Sequence, residues 1–281
     1  MQQKEAISQN PDIELLRSAA VAAGIVALGY FRRDVKTWAK ENTSPVTEAD
    51  YLVDELLHTS LMGARPDYGW LSEETMDDAH RLGKKRIFVV DPIDGTRGFI
   101  RGEDSWTICM AVVENGAAIT GVIYAPARNE LYEAALGEGA KLNGMPLVRP
   151  SGPNKVPLIP TPGAIHKELE AARFDYVRGP ALPSLAYRLV QVATGALDGA
   201  VARRGAQDWD IAAAAIILSE CGLELEDVCV GQPEFNRAEL RHGALAVLNN
   251  PSMKPLVHEA LIKVYGCPQP ETPSTHGEQS T

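Results

Sequence analysis

Apolar residues recur at helical spacing across residues 11–31, with Asp12 placed to cap the start and the Arg32-Arg33 pair suited to the end. The uncharged run 18–31 is too short for a bilayer and reads as a buried helix. A second helical pattern covers 48–62, with Leu52, Val53, Leu56, Leu57 and Leu61 on one face. The apolar stretch 68–74 ends in two acids, a polar, mobile-looking loop spans 75–86, and 86–91 reads as a strand, apolar throughout Ile87 to Val90 and therefore central in its sheet. Two alternating segments within 105–126 flank Glu114-Asn115-Gly116, a hairpin signal. Another strand at 130–136 leads to a second Asn-Gly pair, Asn143-Gly144.

Residues 149–163 are rich in Pro and Gly and mark a domain boundary. Beyond them, 183–195 and 209–222 read as helices ended by glycine, 199–203 and 244–249 as short strands, and 254–264 as a last helix. The tail 266–281 has almost no apolar content and is expected to be disordered. The chain therefore divides into an N-terminal α+β half (1–148), a C-terminal α/β half (149–265) and a tail.

With 45% apolar and 23% charged residues, the 281-residue chain has the composition of a globular protein. Its formal charge of -10 argues against a nucleic-acid polymer as partner, but a small anion is compatible where metals and local arginines reverse the field. Its four cysteines form no CxxC pair and no zinc spacing, and read as reduced thiols of a cytosolic protein. The N-terminus shows no signal-peptide pattern.

The segment 88-FVVDPIDGTRGFI-100 places Asp91 at a strand end, followed by Pro92, Ile93, Asp94, Gly95 and Thr96. Two carboxylates this close repel unless a cation lies between them. Hard oxygen ligands on a tight turn suit Mg²⁺, Gly95 permits close backbone approach, and Thr96 opens a turn whose N–H groups can face an anion. An Asx-turn at a strand end is the plainer reading of the same residues. Further carboxylates stand in similar settings: Asp50 in 44-SPVTEAD-50, Glu73 and Glu74 in 72-SEE-74, and Asp208 and Asp210 in 208-DWDIAAAA-215. Taken singly, Asp210 also suits a helix cap, Asp50 a surface charge and Glu73 a loop.

Together, SPVTEAD, SEE, DPIDGT and WDIAAA resemble the inositol monophosphatase superfamily of magnesium-dependent, lithium-sensitive phosphatases, from the first helix to about Tyr265. The resemblance implies a layered α-β-α-β-α sandwich of the inositol monophosphatase and fructose-1,6-bisphosphatase type. It implies one Mg²⁺ on Glu73, Asp91 and the Ile93 carbonyl, a second on Asp91, Asp94 and Asp210, and leaves open a third that shares Glu73. Asp50 and Thr96 match the pair that orients and deprotonates the attacking water, and Gly95, Thr96 and Asp210 match substrate contacts. Ser72 stands where the family usually has glycine.

Inositol phosphatases of the superfamily usually carry a glutamate where this chain has Arg203, in 202-ARRGAQDWD-210. An arginine cannot accept a hydroxyl proton but can hold a second phosphate. The segments SEE, 95-GTRGFI-100 and 203-RRG-205 are most similar to bacterial 3'(2'),5'-bisphosphate nucleotidases, and Arg188 stands near the place of a substrate-side lysine. Ile93 departs from the leucine usual there. The expected substrate is adenosine 3',5'-bisphosphate. Inositol 1-phosphate, histidinol phosphate and a regulatory binding role remain as alternatives, and a homodimer and peripheral membrane association stay open.

Overall fold

The computed structural model describes residues 10–40, 44–148 and 156–267. α1 (Pro11–Tyr30) is followed by an antiparallel hairpin, β1 (Thr37–Ala39) and β2 (Pro45–Thr47), and then by α2 (Glu48–Ala64). Next come β3 (Gly69–Ser72), β4 (Arg86–Asp94) and the short α3 (Thr96–Ile100). β5 (Thr107–Glu114), β6 (Ala117–Ala125), β7 (Glu130–Ala135), β8 (Ala140–Leu142) and β9 (Met145–Pro146) follow. Strands β3 to β9 form one sheet in sequence order, with β3 parallel to β4 and the other neighbours antiparallel.

The second half contains β10 (Leu158–Ile159), α4 (Gly163–Ala171), β11 (Val177–Arg178), α5 (Leu185–Thr194), β12 (Gly199–Ala202) and α6 (Asp208–Glu220). β13 (Leu225–Asp227), β14 (Leu245–Leu248) and α7 (Lys254–Tyr265) complete it. β12, β14 and β13 make an antiparallel sheet, and β10 pairs in parallel with β11.

Three apolar clusters define five layers. α1 and α2 bury Leu16, Ala20, Ala23, Val53, Leu57 and Leu61 against Phe88, Val90, Met110 and Val122 on one face of the large sheet. The other face, through Ile87, Val89, Ala111 and Ile123, packs on α5 and α6, which also meet Ala200, Leu225 and Val247 of the small sheet. α4 and α7 cover that sheet's far face through Ile165, Leu169, Val257 and Leu261. This is the α-β-α-β-α order expected. A helix between two sheets must be apolar on all sides, which is why α6 reads IAAAAII.

Both Asn-Gly hairpins form, with positive φ at Asn115, Gly116, Asn143 and Gly144, as two-residue turns of the favoured hand require. Several expectations are corrected. Asn10, not Asp12, caps α1, because Pro11 takes the first helical position; Asp12 is buried and holds Arg65 and Tyr68. α1 buries one face only, leaving Val21 and Ile25 exposed. With 20 residues and a mean hydropathy of 1.5 it is long and apolar enough to cross a membrane, unlike the shorter run, but its buried face is spent on the sheet and α2. β4 lies one strand in from the edge rather than at the centre. The loop after β3 is anchored by the buried Arg81. β10 forms inside the 149–163 boundary segment and α4 starts at its last residue; residues 149–155 of that segment lie outside the described residues, as does the tail from 268. Cys229 and Cys267 form a disulfide across 38 residues, because the end of α7 returns to the β13–β14 connection; Cys109 and Cys221 stay free.

Gly121 lets α6 lie close to β6: an added Cβ would sit 2.8 Å from the Ala213 carbonyl oxygen and 2.5 Å from Ile216 Cγ2. Alanine in place of a strand glycine ordinarily stabilises by roughly 0.5–1 kcal/mol. Gly121→Ala is expected to destabilise instead, by about 1–3 kcal/mol from overpacking, read as a lower urea midpoint. An unchanged or higher midpoint would show that α6 can give way.

Candidate metal centre and catalytic site

The apolar β4 runs buried to its end, and its pairing with β5 slips there: Asp91 faces Cys109, and Asp94 faces Thr107. The extra residue is a bulge, a device that re-aims side chains. It brings the two carboxylates together, and α6 adds a third. Oxygens of Asp91, Asp94 and Asp210 all lie within 4.8 Å of one another. Gly95 follows with φ +92°, and an added Cβ would sit 2.9 Å from the Ser184 backbone nitrogen, so only glycine lets the start of α5 approach this turn.

Each carboxylate is tethered through the backbone. Asp91 Oδ1 accepts from the Ile93 N–H at 3.1 Å. Asp94 Oδ2 accepts from Ser184 Oγ at 2.6 Å and the Ala186 N–H at 2.8 Å, both at the start of α5. Asp210 is the third residue of α6, where its Oδ2 accepts from the Gln207 N–H at 2.7 Å; Asp50 holds the same place in α2, with Thr47 N–H at 2.8 Å. The cap of α6 is therefore Gln207, and Asp50 is a buried first-turn residue, not a surface charge.

The clustering shows in the electrostatics. Burial, then Glu73 and Asp94, hold the Asp91 carboxyl well above the usual range. Burial and Asp94 do the same to Asp210. Burial raises Asp94 to about 6 against the opposing bonds from Ser184 and Ala186, and raises Asp50 to about 6 against those from Thr47. Asp91 Oδ2 is buried and has no hydrogen-bond partner.

Asp50 and Thr96 meet as expected. Thr96 Oγ1 lies 3.2 Å from Asp50 Oδ1 and 3.0 Å from the Ile93 carbonyl oxygen. Glu73 comes close enough to act on Asp50, Asp91, Asp94 and Asp210. Arg203 is exposed just after β12, where its charge reaches Tyr265, and no contact joins it to the carboxylate cluster among the described residues.

Three contributors escape the sequence reading. Lys40, from the β1–β2 hairpin, bridges Glu73 and Glu74 at 2.8 and 2.7 Å. Burial lowers its pKa, but the two glutamates outweigh burial and raise it overall; burial also pushes Glu74 up to about 7. Ser72 bonds Asp54, which also holds Thr75, so serine in place of glycine stitches this loop to α2. Ser184 caps α5 and carries Asp94; a serine before an apolar run signals the cap but not the carboxylate.

A cavity of about 420 Å³ is lined by Pro160, Thr161, Arg178, Gly179, Pro180 and Arg188 among others; none of the cluster carboxylates lines it, and Arg188, whose charge Asp94 feels, is its link to the cluster. Arg188 is one turn beyond Ser184 on α5, its Nε is sealed from solvent without an acceptor, and one terminal nitrogen reaches the Leu182 carbonyl at 3.3 Å. Burial lowers its pKa, and Asp94 opposes that.

The sequence profile of the inositol monophosphatase family matches residues 8–264. The chain is 41% identical over 138 residues to a histidinol-phosphatase of Chlorobaculum parvum, a match spanning 49% of this chain and 52% of that relative. It is 34% identical over 230 residues to the Nus factor SuhB of Pasteurella multocida, covering 76% of this chain and 84% of the relative. A solved Thermotoga maritima IMPase superposes with a TM-score of 0.79 at 25% identity, over 91% of this chain and 98% of that one. The match along nearly all of the chain, with its carboxylates gathered at one bulge, places this protein in the inositol monophosphatase family.

Proposed function

We propose that the chain is a Mg²⁺-dependent phosphomonoesterase whose substrate carries a second phosphate, and that it converts adenosine 3',5'-bisphosphate to AMP and phosphate. The metal reading is supported by its donors. Asp91 Oδ2 is a buried oxygen with no partner, Asp94 and Asp210 bring hard oxygens within 4.8 Å of Asp91, and Glu73 and the Ile93 carbonyl would supply further ones. Asp91, Asp94 and Asp210 would hold one ion, and Glu73, Asp91 and the Ile93 carbonyl another. Bound magnesium supplies positive charge to the phosphate and acidifies water.

The protein's own groups do the rest. Thr96 Oγ1 has one hydrogen and two acceptors within reach, so its lone pairs stay free to accept from a water molecule. Asp50, held at about 6 by burial, is mostly ionised at neutral pH and close enough to take that water's proton through or beside Thr96. The N–H groups of Gly95 and Thr96 at the start of α3 would donate to the phosphate oxygens. No cysteine or histidine is needed as a nucleophile.

One observation carries the substrate reading: the Arg188 guanidinium, anchored by one terminal nitrogen to the Leu182 carbonyl, lines a cavity one helical turn from Ser184, which binds Asp94. Arg178, tied to the Thr161 carbonyl at 2.9 Å, adds a second positive charge. Such a wall suits a second phosphate, and the cavity is large enough for part of a nucleoside. Arg203, exposed just after β12, would add its charge if the substrate's second phosphate reached that far. The histidinol-phosphatase relative favours a second reading, but histidinol phosphate would bring its cationic end towards arginines.

Removing the metal tests the centre. Asp50 and Asp94 titrate near 6 instead of 3.8, and Glu74 near 7 instead of 4.5. Raised carboxyl pKa values contribute stability below about pH 4 that is lost as pH rises through 6 to 7. Mg²⁺ binds the ionised forms, so its stabilisation should grow over the same window. The Tm gained on adding Mg²⁺ to chelator-treated protein is expected to be small at pH 5 and several degrees at pH 7.5. A pH-independent gain would contradict the cluster.

Arg188→Ala and Arg203→Ala test the substrate. A contact remote from the reacting phosphate binds ground and transition states alike, so its loss raises KM and spares kcat. A charge-assisted bond of roughly 1.5–3 kcal/mol corresponds to about 10- to 150-fold. That rise is expected for adenosine 3',5'-bisphosphate and not for 3'-AMP. A higher kcat/KM for inositol 1-phosphate, or equal effects on both nucleotides, would overturn the bisphosphate reading.

A further inference from the structure

Arg81 belongs to the loop between β3 and β4, which begins with Glu73 and Glu74. It is 2% exposed, unusual for a loop arginine in a polar sequence. Its fork grips Asp77, with Nε at 3.0 Å and a terminal nitrogen at 2.7 Å. The other terminal nitrogen donates to Asn236 Oδ1 at 2.7 Å, across 155 residues. Asn236 in turn donates its backbone N–H to Asp208 Oδ2 at 2.7 Å, while the buried His242 contacts Asp208 Oδ1 through Nε2 at 2.8 Å. Asp208 is the first residue of α6, two positions before Asp210. The fold makes room for this link independently: Gly69 of β3 leaves space where a Cβ would come 3.1 Å from the Arg81 Cα.

An unbroken polar chain therefore runs from the loop behind Glu73, through Arg81, Asn236 and Asp208, to the first turn of the helix that carries Asp210. Apart from apolar packing, this chain fixes the acidic end of β3 against the start of α6. We infer that Arg81 is a positioning residue for the metal centre, setting Glu73 of one half of the molecule against Asp210 of the other. It touches neither metal nor substrate. Its effect falls on how well the carboxylates are prearranged, hence on cation affinity, and not on the chemical step or on substrate contacts. The inference rests on the metal centre of the proposed function.

The test reads cation binding directly. Mn²⁺ is titrated into substrate-free protein, and the free ion is counted by electron paramagnetic resonance below the melting temperature of every variant. Arg81→Met removes the fork while filling its space. Asn236→Gly removes the side-chain link alone, since Asn236 has φ +57° and glycine tolerates that backbone. Both are expected to weaken Mn²⁺ binding about 10- to 100-fold, the range for outer groups that orient metal ligands. kcat at saturating Mg²⁺ and KM for adenosine 3',5'-bisphosphate should stay near wild type. A lower Tm with unchanged Mn²⁺ affinity would reduce Arg81 to a structural residue and overturn the inference. If Arg81→Met does not fold, Asn236→Gly decides alone. Wild-type protein that binds no Mn²⁺ would remove the metal centre itself, and with it both the proposed function and this role.

Discussion

Mutual repulsion among buried carboxylates is the constraint that the rest of this protein answers. At about 4 Å and an effective dielectric near 20, two like charges repel by about 4 kcal/mol. Asp91, Asp94 and Asp210 lie at such separations, with Glu73 near enough to add its charge. No arrangement of apolar residues offsets that. The cluster must take up protons, take up cations or be braced from outside. Lys40 shows the second solution in miniature, sitting between Glu73 and Glu74.

The layers make the bracing possible. The large sheet delivers Asp91 and Asp94 at one bulge, and the middle helices meet it end-on, α5 giving N–H groups to Asp94 and α6 bringing Asp210. A helix start is partly positive and stabilises an anion where bulk water is missing. α6 can serve there because its sides are wholly apolar and both sheets hold it. Fold and site thus share one cause: the packing that buries IAAAAII also fixes where its first turn points.

Much of the centre is legible in the chain because its parts are local. Asp91, Asp94, Gly95 and Thr96 fall within six consecutive positions, and Asp210 stands at a recognisable helix start, whereas Asp50 is singled out only by the resemblance of SPVTEAD. What is hidden is long-range. Lys40 meets Glu73 across 33 residues and Ser184 meets Asp94 across 90, with no pattern in either segment to pair them. The same holds for the Cys229–Cys267 bridge, whose partners share no motif. The cap of α1 was misplaced for a local reason: Asn10 and Asp12 are both good caps, and Pro11 decides between them. α4 begins where the Pro- and Gly-rich stretch 149–163 ends, and its amphipathic run of 163–171 is too short to stand out beside that stretch.

The tethers have a consequence for ion selectivity. In Asp91 and Asp210 one oxygen is already engaged by a backbone N–H. A carboxylate held this way offers a single oxygen and resists swinging round to offer two. Calcium fills its large, irregular shell by taking carboxylates two oxygens at a time, whereas magnesium accepts one from each and keeps its waters. In the proposed magnesium centre, the hydrogen bonds that start α6 and close the turn after β4 would therefore disfavour the larger ion by limiting the oxygens offered rather than the space.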